Sequence, residues 1–332
     1  MATTSIDQMD AVVIQDSGPP AQSLAVRSEP VPRPGPGEAL VEVHAAAVNP
    51  IDAVNALGYL GTPLPAIPGI DYAGIVVSDG DYVGQEVWGS AQLWGGPPDV
   101  VTKRAGTHAR YVALPEAWLS LKPERLSMTE AGAVGRSYVA AWETMIERGQ
   151  LRPGETVLIT GGAGVVGHAA ADIARWLGAT PIVAARRKPD GVEHFIDITS
   201  TDVREAVMGL TAGRGVDMVL DAAGGALFEP ALRSLRFGGR MFGLISREPR
   251  VEFDLVEFYA REIQLSSLAS VFTDATHIAR IFDQLRPLFD RDLLSPPETK
   301  TWPLEQAAAA YQTVLDGSGG IKQVLLPVGD EA

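Results

Sequence analysis

The stretch that most restricts how this chain can fold is 156–178, TVLITGGAGVVGHAAADIARWLG. Val157, Leu158, Ile159 and Thr160 form a short apolar, β-branched run suited to a buried parallel strand. Gly161, Gly164 and Gly167 follow at G-x-x-G-x-x-G spacing. Val166, Ala169, Ala170, Ile173, Ala174 and Leu177 then recur at helical spacing, and Gly178 stands where a C-terminal glycine belongs. A strand must therefore turn tightly into a helix. Glycines in such a turn let backbone N–H groups and the positive end of the helix dipole approach a phosphate with no Cβ in the way. The glycine spacing alone is a weak signal; the strand before it and the helix after it make it a strong one. The residues that would meet the phosphates are Thr160, Gly161, Gly162, Ala163, Gly164, Val165, Val166 and Gly167, with His168 in the opening turn of the helix.

From 156 onward, strand-like and helix-like runs alternate. Strands are expected at 181–185, 194–198, 216–221, 240–245 and 263–269, and helices at 202–210 and 227–235. That alternation predicts a doubly wound parallel sheet. Later helices are expected at 276–290 and 304–315, with a terminal strand at 323–328. The first 130 residues read differently. Strand-like runs at 11–14, 39–43, 74–77, 86–89 and 111–114 are punctuated by glycine and proline, with an irregular PVPRPGPG at 30–37. This predicts a small barrel-like all-β unit. A helical pattern over 129–148 marks the boundary between the two regions.

One connection is too short for its topology. Only 186–193, eight residues including Pro189 and Gly191, separate the second and third strands of the parallel sheet. Crossovers between parallel strands usually take a dozen residues or more. Extended, eight residues reach about 26 Å, which exceeds a ~17 Å strand. The sequence therefore predicts a crossover without a helix.

Composition removes several functions. The formal charge of −14 argues against a nucleic acid or an anionic membrane surface as partner. There is no cysteine, so no disulfide, thiolate metal site or cysteine nucleophile can be built. The five histidines form no metal-ligand pattern, and no metal is expected. MATTSIDQMD has no basic segment followed by an apolar run, and no apolar stretch is long enough to span a bilayer. A cytoplasmic protein is the expectation.

The segments PRPGPGEALVEVHAAAVNPIDA (32–53), IPGIDYAGIVV (67–77), GTHARYVALP (106–115), GVDMVLDAAGG (215–225), LRFGGRMFGLIS (235–246) and IKQVLLPV (321–328), with the glycine turn, give the chain a family resemblance. It resembles the medium-chain dehydrogenase/reductase superfamily, in its zinc-free quinone oxidoreductase branch. The resemblance implies an α/β protein: a GroES-like β-barrel catalytic domain plus a Rossmann doubly wound parallel-sheet cofactor domain. The first would span 1–130 with 276–332 returning to it, and the second 131–275, with the cofactor in the cleft between them. Zinc enzymes of the superfamily carry Gly-His-Glu where this chain has Gly69-Ile70-Asp71, and isoleucine cannot ligate a metal.

The resemblance also assigns candidate roles. NAD-preferring sites usually end the second strand with Asp or Glu; here it ends Ala185-Arg186-Arg187-Lys188, which suits the 2′-phosphate of NADPH. Ala223 and Gly224, Leu244, Ile245 and Ser246, and Lys322 match further cofactor contacts. Asn49 and Asp52, in VNPID, match the loop at the nicotinamide. Asn49 is a candidate to bond cofactor or substrate, and Asp52 is either catalytic or structural. Tyrosines of bacterial quinone reductases match Val54 and about Leu60; Tyr59, one residue out of register, is a catalytic candidate that lines the pocket, or a packing residue. A Thr-Ala pair of relatives is Ala140-Ala141 here, with Arg136 and Tyr138 as substitutes or as structural residues. The implied activity is NADPH-dependent hydride transfer to a quinone or an activated alkene. An enoyl thioester reductase and a non-catalytic, cofactor-bound sensor or structural protein are the competing readings. A small-molecule substrate is expected, and a homodimer joined through the strand at 264–268.

Overall fold

The computed structural model describes residues 7–91, 106–245 and 248–329. Ser246, expected among the cofactor contacts, lies outside the described residues. The chain forms two compact units, 1–136 with 271–332 and 137–270. No helix of the described residues is long and apolar enough to cross a membrane.

In the first unit β1 (Gln8–Ile14) and β2 (Leu24–Pro30) pair antiparallel, with the short helix α1 (Pro20–Ser23) between them. There follow β3 (Glu38–Val48), α2 (Pro50–Ala56), β4 (Asp71–Val76), β5 (Glu86–Ser90), β6 (Tyr111–Pro115) and β7 (Ser120–Leu121). Helix α3 (Met128–Trp142) then leads out of the unit. After the second unit, α8 (Ala275–Asp290), β14 (Thr299–Pro303), α9 (Ala307–Asp316) and β15 (Lys322–Leu326) complete the first. The sheet order is β14-β15-β3-β4-β5-β7, with β6 also on β3.

Strand β3 is the hub of this sheet. Its alternating Val41 and Val43 face the core, and Ala45, Ala46 and Ala47 are buried throughout. One edge pairs with β4; the other pairs first with β6 and then, from Ala46 to Val48, with β15. The carboxyl end of β3 is therefore flanked by the starts of β4 and β15. Trp88 of β5 meets Phe282 and Phe289 of α8 edge-on, with ring centroids at 4.8 and 5.7 Å. Ser120 donates to Asp283 at 2.5 Å beside them. These aromatic contacts draw the returning segment onto β5.

The second unit contains β8 (Thr156–Thr160), α4 (Val165–Leu177), β9 (Thr180–Ala185), β10 (His194–Asp197) and α5 (Val203–Leu210). It continues with β11 (Val216–Asp221), α6 (Phe228–Arg233), β12 (Leu235–Gly243), α7 (Leu255–Ala260) and β13 (Gln264–Ser267). The six strands are parallel, in the order β10-β9-β8-β11-β12-β13. Numbered within the unit, that is 3-2-1-4-5-6, the doubly wound order with its switch point between first and fourth strands. The segment 186–193 contains no helix and delivers β10 parallel to β9, as its length dictates.

Some boundaries differ from the sequence reading. The expected helix at 227–235 spans only Phe228–Arg233, and Leu235 opens β12, which ends at Gly243. Leu232 and Leu235 are both core residues, so their apolar spacing carries across a helix-to-strand change. The helical run at 129–148 is broken at Gly135, whose φ is +34°, and its end, Glu143–Arg148, is a π-helix. Strands β2 and β14 and helices α2 and α7 were not anticipated.

Candidate functional site

At the switch point of the second unit, the turn after β8 meets the turn after β11. Gly161 adopts φ +64°, and a Cβ there would lie 2.7 Å from the Ala222 carbonyl oxygen. Gly162 passes close to Val183, and a Cβ on Gly167 would lie 2.4 Å from the Cα of Gly162. These glycines allow α4 to pack directly on its own turn. Gly164 is the N-cap of α4, which has no side-chain cap and no acid in its first turn. In contrast, Asp202, Asp254 and Asp274 cap α5, α7 and α8 with their side chains. The first N–H groups of α4, among them those of Val165 and Val166, are thus left for a ligand. Ala163 lies in the same turn.

Asp221 holds these turns together and was missed by the sequence reading. It ends β11 in register with Thr160. The Thr160 hydroxyl donates to its carboxylate, as do the backbone N–H groups of Ala223 at 3.1 Å and Gly224 at 2.9 Å. The Leu244 N–H donates to the Asp221 carbonyl at 2.9 Å, and Ile245 beyond it is exposed. Ala185 is buried at the end of β9, and Arg186, Arg187 and Lys188 emerge from it exposed. His168 is engaged elsewhere than at a bare turn: its Nε2 lies 3.7 Å from Asp172. The Tyr138 hydroxyl donates to that same carboxylate at 3.2 Å, so Tyr138 is a buried structural residue. Burial, with the Asp172 charge next, raises Tyr138 well above the usual phenol range.

The first unit carries a buried polar cluster where β15, β3 and β4 adjoin. Asn49 follows β3 and is the N-cap of α2, with Pro50 at the first helical position and Asp52 at the third. Because Gln323 pairs with Val48, Lys322 stands level with Asn49. Lys322 Nζ donates to Asn49 Oδ1 at 2.6 Å, and Asn49 Nδ2 donates to Asp71 Oδ2 at 2.9 Å. Lys322 lies 3.8 Å from Asp71. The other Asp71 oxygen accepts the Arg136 backbone N–H at 2.9 Å, just past the break at Gly135. The Asn49 N–H donates to Asp52 Oδ2 at 2.8 Å, while Asp52 Oδ1 is buried with no partner.

Burial sets the protonation of this cluster. It raises Asp52 to about 7 against the lowering effect of the Asn49 N–H, with the Asp71 charge also raising it. It lowers Lys322, with Asp71 and Asp52 opposing. His108, between Tyr311 (2.8 Å) and the Ala47 carbonyl (3.1 Å), is lowered by burial to about 4 and stays neutral. Asn49, Asp52 and Lys322 are thus brought together, joined by Asp71, which the sequence reading did not single out as a site residue. Tyr59 does not join them. It sits on the turn after α2 and is 77% exposed, which corrects the packing alternative. Arg136 is buried and donates to the Ala91 carbonyl at 3.1 Å, the structural alternative. Ile70 is buried among Ile51, Leu60 and Val271, apolar surroundings that cannot serve a zinc ion.

The 3-2-1-4-5-6 sheet, its glycine turn and its uncapped helix define a Rossmann nucleotide-binding module fused to a separate β-rich unit. Comparison with known proteins agrees. The alcohol dehydrogenase GroES-like domain family matches residues 35–124, and the zinc-binding dehydrogenase family matches 165–281. A zinc-type alcohol dehydrogenase-like protein of Schizosaccharomyces pombe is 32% identical over 253 residues, 74% of each chain. The quinone oxidoreductase of Homo sapiens is 26% identical over 333 residues, covering 96% of this chain and 97% of its own. Among solved structures, that of AibC superposes with a TM-score of 0.87 at 26% identity, covering 98% of this chain and 99% of its own. The chain belongs to the medium-chain dehydrogenase/reductase superfamily, a family of nicotinamide-dependent oxidoreductases.

Proposed function

We propose that this protein is an NADPH-dependent reductase that delivers a hydride to a quinone or another activated alkene without zinc. The observation that carries this reading is the basic run Arg186-Arg187-Lys188 directly after β9, beside a helix N-terminus left uncapped. The α4 terminus and the glycine turn suit a pyrophosphate, and the cations suit a 2′-phosphate, which arginine can bind bidentately. Ala223, Gly224, Leu244 and Ile245 border the same carboxyl edge of the sheet. When bound, the nicotinamide supplies the hydride, so the chain needs no redox group of its own.

The residues of the buried cluster then orient and exchange protons. Asn49 is fixed at both ends of its amide, by Lys322 and by Asp71. Asp52, poised at about 7, is the cluster member whose proton is in exchange near neutrality. The zinc chemistry of related dehydrogenases does not fit this chain, since Ile70 replaces a ligand and there is no cysteine. The helix-less segment 186–193 supports quinone or alkene reduction over an enoyl thioester reductase that takes a proton donor from that region. A cytoplasmic homodimer completes the proposal, joined through β13, whose four residues are exposed at the sheet edge.

Fluorescence titration of both cofactors, followed by a nicotinamide oxidation screen over quinones, enones and enoyl thioesters, tests this reading. NADPH is expected to bind about ten- to a hundredfold more tightly than NADH, the effect of about 1.5–3 kcal/mol from a charged phosphate contact. Equal affinities would refute the NADPH assignment. Binding without turnover on any acceptor would favour a sensor.

A further inference from the structure

The shortened crossover changes what lies beside the basic run. Along the chain, no acid follows Ala185 for several residues. Across the sheet, however, Asp197 at the end of β10 pairs in register with Ala185 at the end of β9. The Ile198 N–H also donates to the Ala185 carbonyl at 3.2 Å, which fixes the level of the two strand ends. Neighbouring strands lie about 4.8 Å apart. A carboxylate therefore stands one strand away from the point where Arg186, Arg187 and Lys188 leave the sheet.

This carboxylate is held in place and charged. Its Oδ1 accepts the Thr199 N–H at 2.9 Å and the Thr199 hydroxyl at 2.7 Å. Those hydrogen bonds, the hydroxyl first, keep Asp197 below the ordinary carboxylate range. It forms no ion pair among the described residues, despite three cations a strand away. Its neighbours along the chain, Thr199 and Ser200, are uncharged.

Resting on the reading that NADPH binds at this edge, we infer that Asp197 is a specificity-determining residue for the cofactor. In the doubly wound order, the adenosine half of a dinucleotide belongs to the first three strands, here β8, β9 and β10. The pyrophosphate takes the turn after β8, and the ribose lies at the end of β9. The carboxylate at the end of β10 then faces the same ribose as the three cations. It repels a 2′-phosphate and tolerates, or accepts from, a 2′-hydroxyl. The cations set the preference for NADPH, and Asp197 limits it, which leaves NADH a usable second cofactor.

The test compares wild type with Asp197→Asn, which keeps the Oδ1 acceptor for Thr199 and removes only the charge. Dissociation constants for NADPH and NADH are measured by calorimetry at low and at high salt. Removing one charge several ångströms from a phosphate is expected to tighten NADPH about three- to tenfold at low salt, and less at high salt. NADH binding should stay the same or weaken. A ratio of the two constants unchanged within twofold would overturn the inference, as would equal weakening of both cofactors. If wild type binds neither nucleotide, the proposed function fails and this inference with it. If wild type binds NADPH and only the ratio fails to move, the inference alone is wrong.

Discussion

Replacing Lys322 by methionine probes the buried cluster most directly. The substitution keeps the length of the side chain and removes its charge. Three groups then lose a partner: Asn49 Oδ1, bonded at 2.6 Å, and the carboxylates of Asp71 and Asp52. Asp71 has no solvent-accessible surface and would keep its hydrogen bonds from Asn49 and Arg136, but no countercharge. Breaking a buried pair by removing one member costs about 3–5 kcal/mol, because a bare charge is left behind. Asp71→Asn alone should also destabilise, since it strands the ammonium. The double variant should cost clearly less than the sum, because it removes both charges. Chemical denaturation of all four proteins at pH 7 measures this coupling. A loss below about 1 kcal/mol for Lys322→Met, or strict additivity in the double variant, would refute the argument that these charges sustain one another.

Two further outcomes follow from the same unit. Asp52 has a folded pKa, about 7, above its ordinary 3.8. Between those values the folded chain holds a proton that the unfolded chain has released. This contribution to stability is full below 3.8 and is lost as pH rises to 7, a change on the order of 4 kcal/mol. Asp52→Asn should flatten that slope and be no less stable than wild type at pH 8; unfolding curves from pH 5 to 8 check it, and an unchanged slope would exclude Asp52 as its source. Gly135→Ala should lower stability by at least about 2 kcal/mol, because φ is +34° and the new Cβ would lie 2.0 Å from Asp71 Oδ2. A melting temperature like that of wild type would show that α3 need not break there.

The second unit was largely readable from the sequence because its signals are local. A strand, a glycine turn and a helix occupy consecutive residues, and 186–193 is shorter than a helical crossover between parallel strands by counting alone. The ends of elements were less readable where apolar spacing runs on through a change of geometry, as at Leu232 and Leu235. In α3 the helical period persists across Gly135, and only the Asp71 carboxylate above it explains the break. The packing alternative for Tyr59 failed for a related reason: a turn places a side chain by its dihedrals, and residue spacing does not carry them. Asp71, Asp221 and Asp197 share another cause. Each has a neighbour that only the assembled protein supplies, Asn49 and Arg136 for Asp71, Thr160 for Asp221 and the strand end at Ala185 for Asp197, and register is a property of the assembled sheet.

Asp71 also shows why a family motif cannot be read residue by residue. It stands where zinc-dependent relatives carry the acid of Gly-His-Glu, beside an isoleucine that ends any metal role. A carboxylate kept only for a metal would have no reason to remain in a site that cannot bind one, given the cost of burying a charge. Here it remains because three other groups depend on its side chain. One oxygen caps the helix that resumes at Arg136, and the other fixes the Asn49 amide and balances Lys322. Replacing Ile70 by histidine would restore the lettering of the motif without restoring a site. Asp71 would still be committed to Arg136, Asn49 and Lys322, and a cation placed there would have to displace the ammonium first.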